Sequence, residues 1–328
     1  MRPTLPQLSF WRATRHSSVV DSNQTSENIP RGRGPWPKIN SVQAVSKWLM
    51  DRLKRKDGDE RESLAVSRLL LDYVSGMDRS ERISQQWRAS ESQLEKMSLM
   101  ADRWSSDEPL QYILNEAHFM GLTLQADPRA LIPRPETEEL VHALLDKIPP
   151  GVSEGLRLLD IGTGSGCIAL AWKSRRPEDH VVGLDVSEDS LAQARLNAEK
   201  LRFNDLDWTC RDILMENSDW PSSPFDMVVS NPPYIPNIER HTLAADVVNQ
   251  EPEMALFVPD ADPLLFYRRI VEGCCQEGWL RSGGWLGFEC HRDFTEEVCA
   301  LFKDAFWRDV DRRKDLNGNW RMVFARLR

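Results

Sequence analysis

Asn231, Pro232, Pro233 and Tyr234 follow directly on the apolar run from Phe225 to Ser230, and their types suit the gripping of a flat nitrogen group. Two successive prolines fix two φ angles and remove two N–H donors, so the carbonyls around them point outward instead of joining a sheet ladder. The Asn231 carboxamide oxygen beside such a carbonyl provides two acceptors for the two hydrogens of a planar NH2. Tyr234 offers a flat face to pack against it. An amide or an exocyclic amine fits this description. Such nitrogens are poor nucleophiles, because their lone pair is delocalised into a carbonyl or a ring. A site that turns the lone pair toward an electrophile gains roughly 7–11 kcal/mol from positioning, and polar groups aimed at the charge developing on nitrogen add to it. No metal is required. Taken alone, Asn-Pro-Pro reads equally well as a turn leaving a strand.

The segment upstream changes the balance. Leu156 to Ile161 is a buried-strand pattern, and it runs through Gly162-Thr163-Gly164-Ser165-Gly166 into the helical run from Cys167 to Ala171. Glycines at this spacing let a backbone approach a ligand through a tight strand-to-helix turn, and about twenty residues on Asp185 sits in the next apolar run, where an acid holds ribose hydroxyls. The spacing is Gly-x-Gly-x-Gly. The third glycine of a dinucleotide fingerprint would fall at Cys167, which disfavours NAD. A glycine loop, Asp185 and the Asn-Pro-Pro-Tyr loop, in that order along one α/β unit, favour S-adenosylmethionine as the cofactor.

These residues need a scaffold that brings strand ends together. From Leu156 onward strands and helices alternate, with strands expected over Val181 to Val186, Leu206 to Cys210, Phe225 to Ser230, Trp285 to Cys290, Asp309 to Arg312 and Arg321 to Leu327. Alternation implies an α/β fold with a mostly parallel sheet. The last two runs leave no room for a helix between them and should pair antiparallel. Ligands then sit at the carboxyl ends of the strands, where Gly162, Asp185 and Asn231 fall. Residues Ile235 to Asp262 are expected to be irregular, a candidate mobile flap over the substrate. Before the core, Val42, Val45, Leu49 and Leu53 form one helical stripe, Leu64 to Val74 another, and Leu94, Met97 and Met100 a third, which predicts a small helical domain. Gln111 to Leu114 and Phe119 to Gln125 suit a linking β-hairpin, with Phe119 reaching the substrate side. Glu136, Glu138 and Glu139, after Pro135, read as the favourable charges of a helix N-terminus, a reading favoured over the alternative that the Arg134-Pro135-Glu136-Thr137-Glu138 string edges the pocket. The expected division is 1–38 leader and linker, 39–108 helical domain, 109–150 hairpin and connecting helix, and 151–328 catalytic domain.

Length and composition allow this plan, since 328 residues with 41% apolar content suffice for two cores. The formal charge of −9 argues against a protein that tracks phosphate backbones, although Arg308 to Lys314 is locally basic. The six cysteines form no Cys-x-x-Cys pair and the histidines lack ligand spacing, so neither a disulfide frame nor a metal site is expected. No apolar run approaches the roughly eighteen residues of a membrane span. The first thirty or so residues carry Arg2, Arg12 and Arg15 with no acid before Asp21. That composition reads as a mitochondrial transit peptide, followed by a Pro/Gly/Arg-rich linker from Ile29 to Lys38. A disordered tail on a cytoplasmic protein is the alternative.

Longer strings carry a resemblance. Pro109 to Leu114, Phe119-Met120-Gly121, Leu131 to Val141 with Arg134-Pro135-Glu136-Thr137-Glu138, Gln250 to Leu256, and Phe266-Tyr267-Arg268 are similar, together with the two loops above, to the HemK/PrmC-type protein-(glutamine-N5) methyltransferases. The resemblance covers roughly Pro109 to the C-terminus. It departs at Asn115, where the family usually has Gly, and at Cys290-His291, where Ile-Gly is common. It implies a class I S-adenosylmethionine-dependent methyltransferase fold, Rossmann-like with a seven-stranded sheet. The implied reaction is methylation of the Gln in the Gly-Gly-Gln loop of a class I peptide-chain release factor. By position, Gly162, Thr163, Gly164, Ser165 and Gly166 would line the cofactor, Asp185 take the ribose, Asp212 and Ile213 border the adenine, and Asn231, Pro232, Pro233 and Tyr234 hold the substrate. On its own residues Asp212 reads equally as a cap or turn acid. The implied partner is the release factor, held partly by the helical domain of a monomer, with no stable nucleic-acid or membrane binding. Two other readings stand beside it: methylation of an adenine N6 amine on a flipped base, and a non-catalytic assembly protein that keeps the fold.

Overall fold

The computed structural model describes residues 34–54, 60–149, 151–152, 155–215 and 223–328. The arginine-rich leader and the first half of the linker after it lie outside the described residues.

The helical stripes make the helices they predict. Helices α1 (Val42–Leu53), α2 (Glu60–Ser75), α3 (Arg79–Ser84) and α4 (Glu91–Ser105) form the small domain. Val45, Leu49 and Leu53 recur every four residues on α1, so one face is fully buried against Leu70 of α2 and Met97 of α4. Capping boxes, Asp78 with Glu81 and Ser90 with Gln93, start α3 and α4 by satisfying N–H groups the helix cannot.

The linker corrects the sequence reading. Leu110–Leu114 is a short helix, α5, and the hairpin is β1 (Ala117–Phe119) with β2 (Leu122–Leu124). Its two-residue turn, Met120 and Gly121, has positive φ at both positions, the mirror-image turn whose twist matches paired strands. Asn115 ends α5 at φ 53. Left-handed backbone of this kind favours Gly, and Asn tolerates it better than other residues, which accounts for the departure there. Phe119 is 1% exposed and packs in the core with Leu140 and Leu144. The hairpin's pleat turns it inward, so it does not reach a substrate surface.

The catalytic domain is one seven-stranded sheet in the order β10-β11-β9-β6-β3-β4-β5. Its parallel members are β3 (Arg157–Ile161), β4 (His180–Asp185), β5 (Leu206–Cys210), β6 (Phe225–Ser230) and β9 (Leu280–Glu289). Strands β10 (Trp307–Lys314) and β11 (Trp320–Leu327) pair antiparallel, and β11 pairs antiparallel with β9. Every residue of β6 is buried, as expected for a central strand covered on both faces. Helices α6 (Pro135–Leu145), α7 (Cys167–Arg175) and α8 (Glu188–Leu201), with α11 (Leu265–Gln276), cover the sheet. The chain runs from β3 outward through β4 to β5, then returns to β6 on the other side of β3. The crevice between β3 and β6 is therefore the switch point at which such sheets bind ligands.

The stretch after β6 is not irregular. Short strands β7 (Ile235–Pro236) and β8 (Phe257–Val258) pair in parallel and bracket a 3-10 turn over Asn237–Thr242 and helices α9 (Ala245–Gln250) and α10 (Glu253–Leu256). Glu251 anchors it to the segment before α6, accepting from the Arg134 guanidinium at 2.6 Å and from the Ile132 N–H at 3.2 Å. At Cys290-His291 the second departure is packed in place. His291 lies 5.0 Å from the Phe294 ring and 6.1 Å from Tyr234, with its Nε2 3.2 Å from Glu239.

Candidate active site

Strand register sets the site. Ile161 of β3 is paired with Ser230 of β6, and the Ser230 hydroxyl donates to the Ile161 carbonyl at 2.7 Å. Gly162 and Asn231, the next residue on each strand, are thereby brought side by side. Both line a cavity of about 310 Å³.

The glycine loop turns because Gly162, Gly164 and Gly166 all adopt positive φ, conformations open to glycine without steric cost. Its shape is fixed by acceptors beneath it. The Leu184 carbonyl takes the N–H groups of Gly162 and Thr163 at 2.8 and 2.9 Å. One oxygen of the fully buried Asp160 takes the Thr163 hydroxyl at 2.6 Å and the Ala169 N–H at 3.1 Å. Asp185, at the end of β4, accepts from Gly164 N at 2.8 Å on one oxygen and from Ser187 N at 2.9 Å on the other. Burial pushes its carboxyl upward, against backbone hydrogen bonds that pull it down. Each oxygen keeps a further lone pair for a hydroxyl in the cavity.

Gly162, Thr163, Gly164, Ser165, Asp185, Asp212, Ile213, Asn231, Pro232 and Pro233 all line this cavity. Gly166, Tyr234 and Phe119 do not. Gly166 starts α7, and a Cβ there would lie 3.0 Å from Trp208 and 3.1 Å from Ala194, so its task is close packing. Asp212 combines both readings weighed for it: its carboxylate accepts from Leu214 N at 2.9 Å in a turn, and the residue faces the cavity. Tyr234 turns its hydroxyl away to donate to Glu289 at 3.3 Å. Burial and the neighbouring Glu289 push that phenol upward, so it keeps its proton.

A second wall includes Arg134 and Thr137 of the string for which the sequence favoured a helix start over a pocket edge. Ile132, Pro133, Arg134 and Thr137 line the cavity, as do Pro252, Met254 and Ala255, and the Arg134–Glu251 pair ties the two segments together. Arg134 and Thr137 belong to the string read as a helix start, and α6 does begin there with Pro135 in its first turn. Its three glutamates have separate tasks: Glu136 lies in the first helical turn, Glu138 accepts from Met120 N and Glu139 from Leu316 N. The spacing of that string contains no signal that Thr137 also touches Asn231, whose Nδ2 donates to the Thr137 hydroxyl oxygen at 3.1 Å.

The cavity's chemistry fits a nucleoside with an amino-acid tail. Ser165 Oγ is buried and lines the cavity with only the weakly hydrogen-bonding Cys167 thiol beside it, so it keeps hydrogen-bonding capacity of the kind a ligand satisfies. Asp185 offers acceptors for a ribose, and Leu184 and Ile213 supply apolar wall. Among the described residues no cluster of His, Cys, Asp and Glu is arranged to hold a metal, and no helix is long and apolar enough to cross a membrane.

A nucleoside-sized cavity beside the Asn-Pro-Pro loop of the next strand, in a sheet of this order, is the arrangement of a class I methyltransferase, and the chain is an enzyme of that class. The methyltransferase domain family matches residues 152–264 and the PrmC N-terminal domain family residues 44–114. The chain belongs to the release factor glutamine methyltransferase family. It is 42% identical over 223 residues to the release factor glutamine methyltransferase of Bacteroides thetaiotaomicron, covering 68% of this chain and 77% of that one. To the enzyme of Flavobacterium psychrophilum it is 34% identical over 272 residues, 82% of this chain and 94% of that one. The solved structure of a release factor-specific protein-(glutamine-N5) methyltransferase from Alicyclobacillus acidocaldarius is 26% identical. It covers 62% of this chain and 98% of that one, with a TM-score of 0.37.

Proposed function

We propose that this protein transfers a methyl group from S-adenosylmethionine to the side-chain amide nitrogen of the Gln in the Gly-Gly-Gln loop of a class I peptide-chain release factor. The observation that carries the reading is Asn231 in the cavity wall beside the glycine loop, with its NH2 end engaged by Thr137 and its oxygen left for a substrate. When bound, S-adenosylmethionine would supply an electrophilic methyl group on a sulfonium, its S–CH3 bond breaking to leave S-adenosylhomocysteine as the amide nitrogen forms the new bond and gives up one proton. The protein's part is alignment: Asn231 Oδ1 and the Pro232 carbonyl accept the two amide hydrogens, turn the nitrogen lone pair toward the cavity, and stabilise the positive charge that grows on nitrogen. Pro233 removes the N–H that would otherwise compete for that carbonyl's direction.

The test is incubation of the purified protein with methyl-labelled S-adenosylmethionine and a release factor carrying Gly-Gly-Gln, beside a Gly-Gly-Ala variant and duplex DNA. Label on the Gly-Gly-Gln protein alone is expected. Label on DNA and not on protein supports the adenine reading and defeats this one. We place the reaction in the mitochondrial matrix. The support is the arginine-rich, acid-poor composition of the first thirty or so residues. Residues 1–38 fused to a fluorescent protein are expected to direct it to mitochondria, and a diffuse cytoplasmic signal rejects the placement.

A further inference from the structure

We infer that Glu289 is a positioning residue that, acting through Thr137, decides which end of the Asn231 carboxamide faces the substrate. The inference rests on the reading above, in which Asn231 presents an oxygen to an amide. Glu289 ends β9, two strand positions from the glycine loop across β6. It is 1% exposed, and it does not line the cavity. What it does reach is a chain of hydroxyls. Thr137 Oγ1 donates to Glu289 Oε2 at 2.6 Å, Tyr234 Oη donates to Glu289 Oε1 at 3.3 Å, and Asn231 Nδ2 donates to Thr137 Oγ1 at 3.1 Å.

Counting hydrogens fixes the direction of this chain. As the ionised acceptor of both the Thr137 and Tyr234 hydroxyls, Glu289 has no hydrogen to give, and a threonine hydroxyl has one. Because that one hydrogen goes to Glu289, Thr137 meets Asn231 only as an acceptor. The carboxamide must therefore offer its NH2 to Thr137 and its oxygen to the cavity. The flipped amide would set Oδ1 against Thr137 Oγ1 with no hydrogen between them, two buried acceptors in contact. Without an acceptor at position 289 the Thr137 hydrogen is released, either amide orientation is satisfied, and a large share of the molecules present NH2 to a substrate that is itself an NH2.

The surroundings act on Glu289 in both directions. Burial pushes its carboxyl upward, the Thr137 hydrogen bond and the positive charge of Arg321 on β11, itself paired with Asp315, pull it down, and Glu136 on α6 pushes it up again. Tyr267 on α11 donates to the Glu289 backbone carbonyl at 3.1 Å and so holds the strand end in place. Cys290 beside it is a fully buried thiol that burial keeps protonated.

The experiment pairs each disruptive variant with a conservative one in the full-length protein. Thr137→Val keeps shape and loses the hydroxyl, and Thr137→Ser restores it; Glu289→Leu removes the acceptor, and Glu289→Gln keeps an oxygen for Thr137. The Thr137→Val and Glu289→Leu proteins are expected to lose roughly 10- to 100-fold in kcat for a Gly-Gly-Gln protein, while S-adenosylmethionine Kd stays within about twofold. Thr137→Ser and Glu289→Gln are expected to recover most of the loss. Amide NMR of the Asn231 side-chain NH2 reads the orientation directly. Its signals should hold a hydrogen-bonded position in wild type, Thr137→Ser and Glu289→Gln, and move in Thr137→Val and Glu289→Leu. Unmoved NH2 signals in both disruptive variants, or equal kcat for Thr137→Val and Thr137→Ser, overturn the proposal. Should one variant fail to fold, the other pair decides. Absence of any glutamine methylation by wild type defeats the functional reading, and the NH2 signals still judge the relay.

Discussion

Asp160 makes a measurable demand on the stability of the site. It is fully buried beneath the glycine loop, and both its hydrogen bonds reach one oxygen, leaving Oδ1 without a partner. Burial, reinforced by the nearby Asp185 and opposed by the Thr163 and Ala169 bonds, raises its carboxyl from the ordinary 3.8 to about 7. The sign follows from proton counting. Between about pH 4 and 7 the folded protein keeps a proton that the unfolded chain has released, so stability falls as pH rises through this window and the loss is complete above it. At about 1.4 kcal/mol for each pH unit, the separation between those two values amounts to roughly 4 kcal/mol. Asp160→Asn keeps the shape and an oxygen for Thr163 and Ala169, and it never ionises. Its NH2 would occupy the unpartnered side, at a cost of about 1–3 kcal/mol. Relative to wild type, the Asp160→Asn protein is therefore expected to gain on going from pH 5 to pH 8, ending about 1–3 kcal/mol more stable at pH 8. Urea unfolding without cofactor at both pH values measures the difference. An Asp160→Asn protein whose deficit is the same at pH 5 and pH 8 refutes the assignment of a buried, late-ionising carboxyl.

Three further outcomes follow from the site. Asn231→Ala should lower turnover on the protein substrate by about 100-fold or more with cofactor affinity nearly normal, and ordinary turnover removes Asn231 from the reaction. Asp185→Ala strips the loop of the Gly164 contact as well as the proposed ribose acceptors, so cofactor Kd should rise at least about tenfold; equal affinity by isothermal titration rejects the assignment. Glu251→Ala leaves the Ile132 N–H without its acceptor and releases Arg134, which should cost about 1–3 kcal/mol and weaken cofactor binding. An unchanged thermal midpoint and Kd together would show that the two walls hold without the pair.

The parts of this site that lie within one strand and its following loop were legible in the sequence. Gly162 to Ser165, Asp185 and Asn231 to Pro233 announce themselves because backbone conformation forces glycine and proline into fixed places. The small domain was legible for a similar reason, since Val45, Leu49 and Leu53 repeat with the helical period. Short apolar runs were not. Leu110 to Leu114 suits strand or helix equally, and Pro109 before it with left-handed Asn115 after it decides for helix. Phe119 alternates like a surface-reaching strand residue, yet the tertiary packing of α6 covers it. Most obscure were the partnerships across long separations. Thr137 reaches Glu289, and Arg134 reaches Glu251; both depend on which distant elements the fold places side by side, information no local pattern contains.

The joint between the two domains has a consequence for what the enzyme can accept. One face of α8 reads the backbone after the hairpin: Asn197 accepts from Gln125 N at 2.6 Å, Gln193 donates to Gln125 O and Ser190 to Arg129 O, each at 2.8 Å, while Tyr112 donates to Ala130 O at 3.0 Å. Asn197 also donates to the Ser165 carbonyl, inside the glycine loop. On the other side Arg103 of α4 donates to the Tyr112 carbonyl at 3.0 Å, so the connection is fastened at both ends, a bracket and not a hinge. If the small domain engages the release factor, the two jaws act as a caliper of set width. Such a gauge would pass over a short peptide bearing the right glutamine, because the peptide fills one jaw and leaves the other empty.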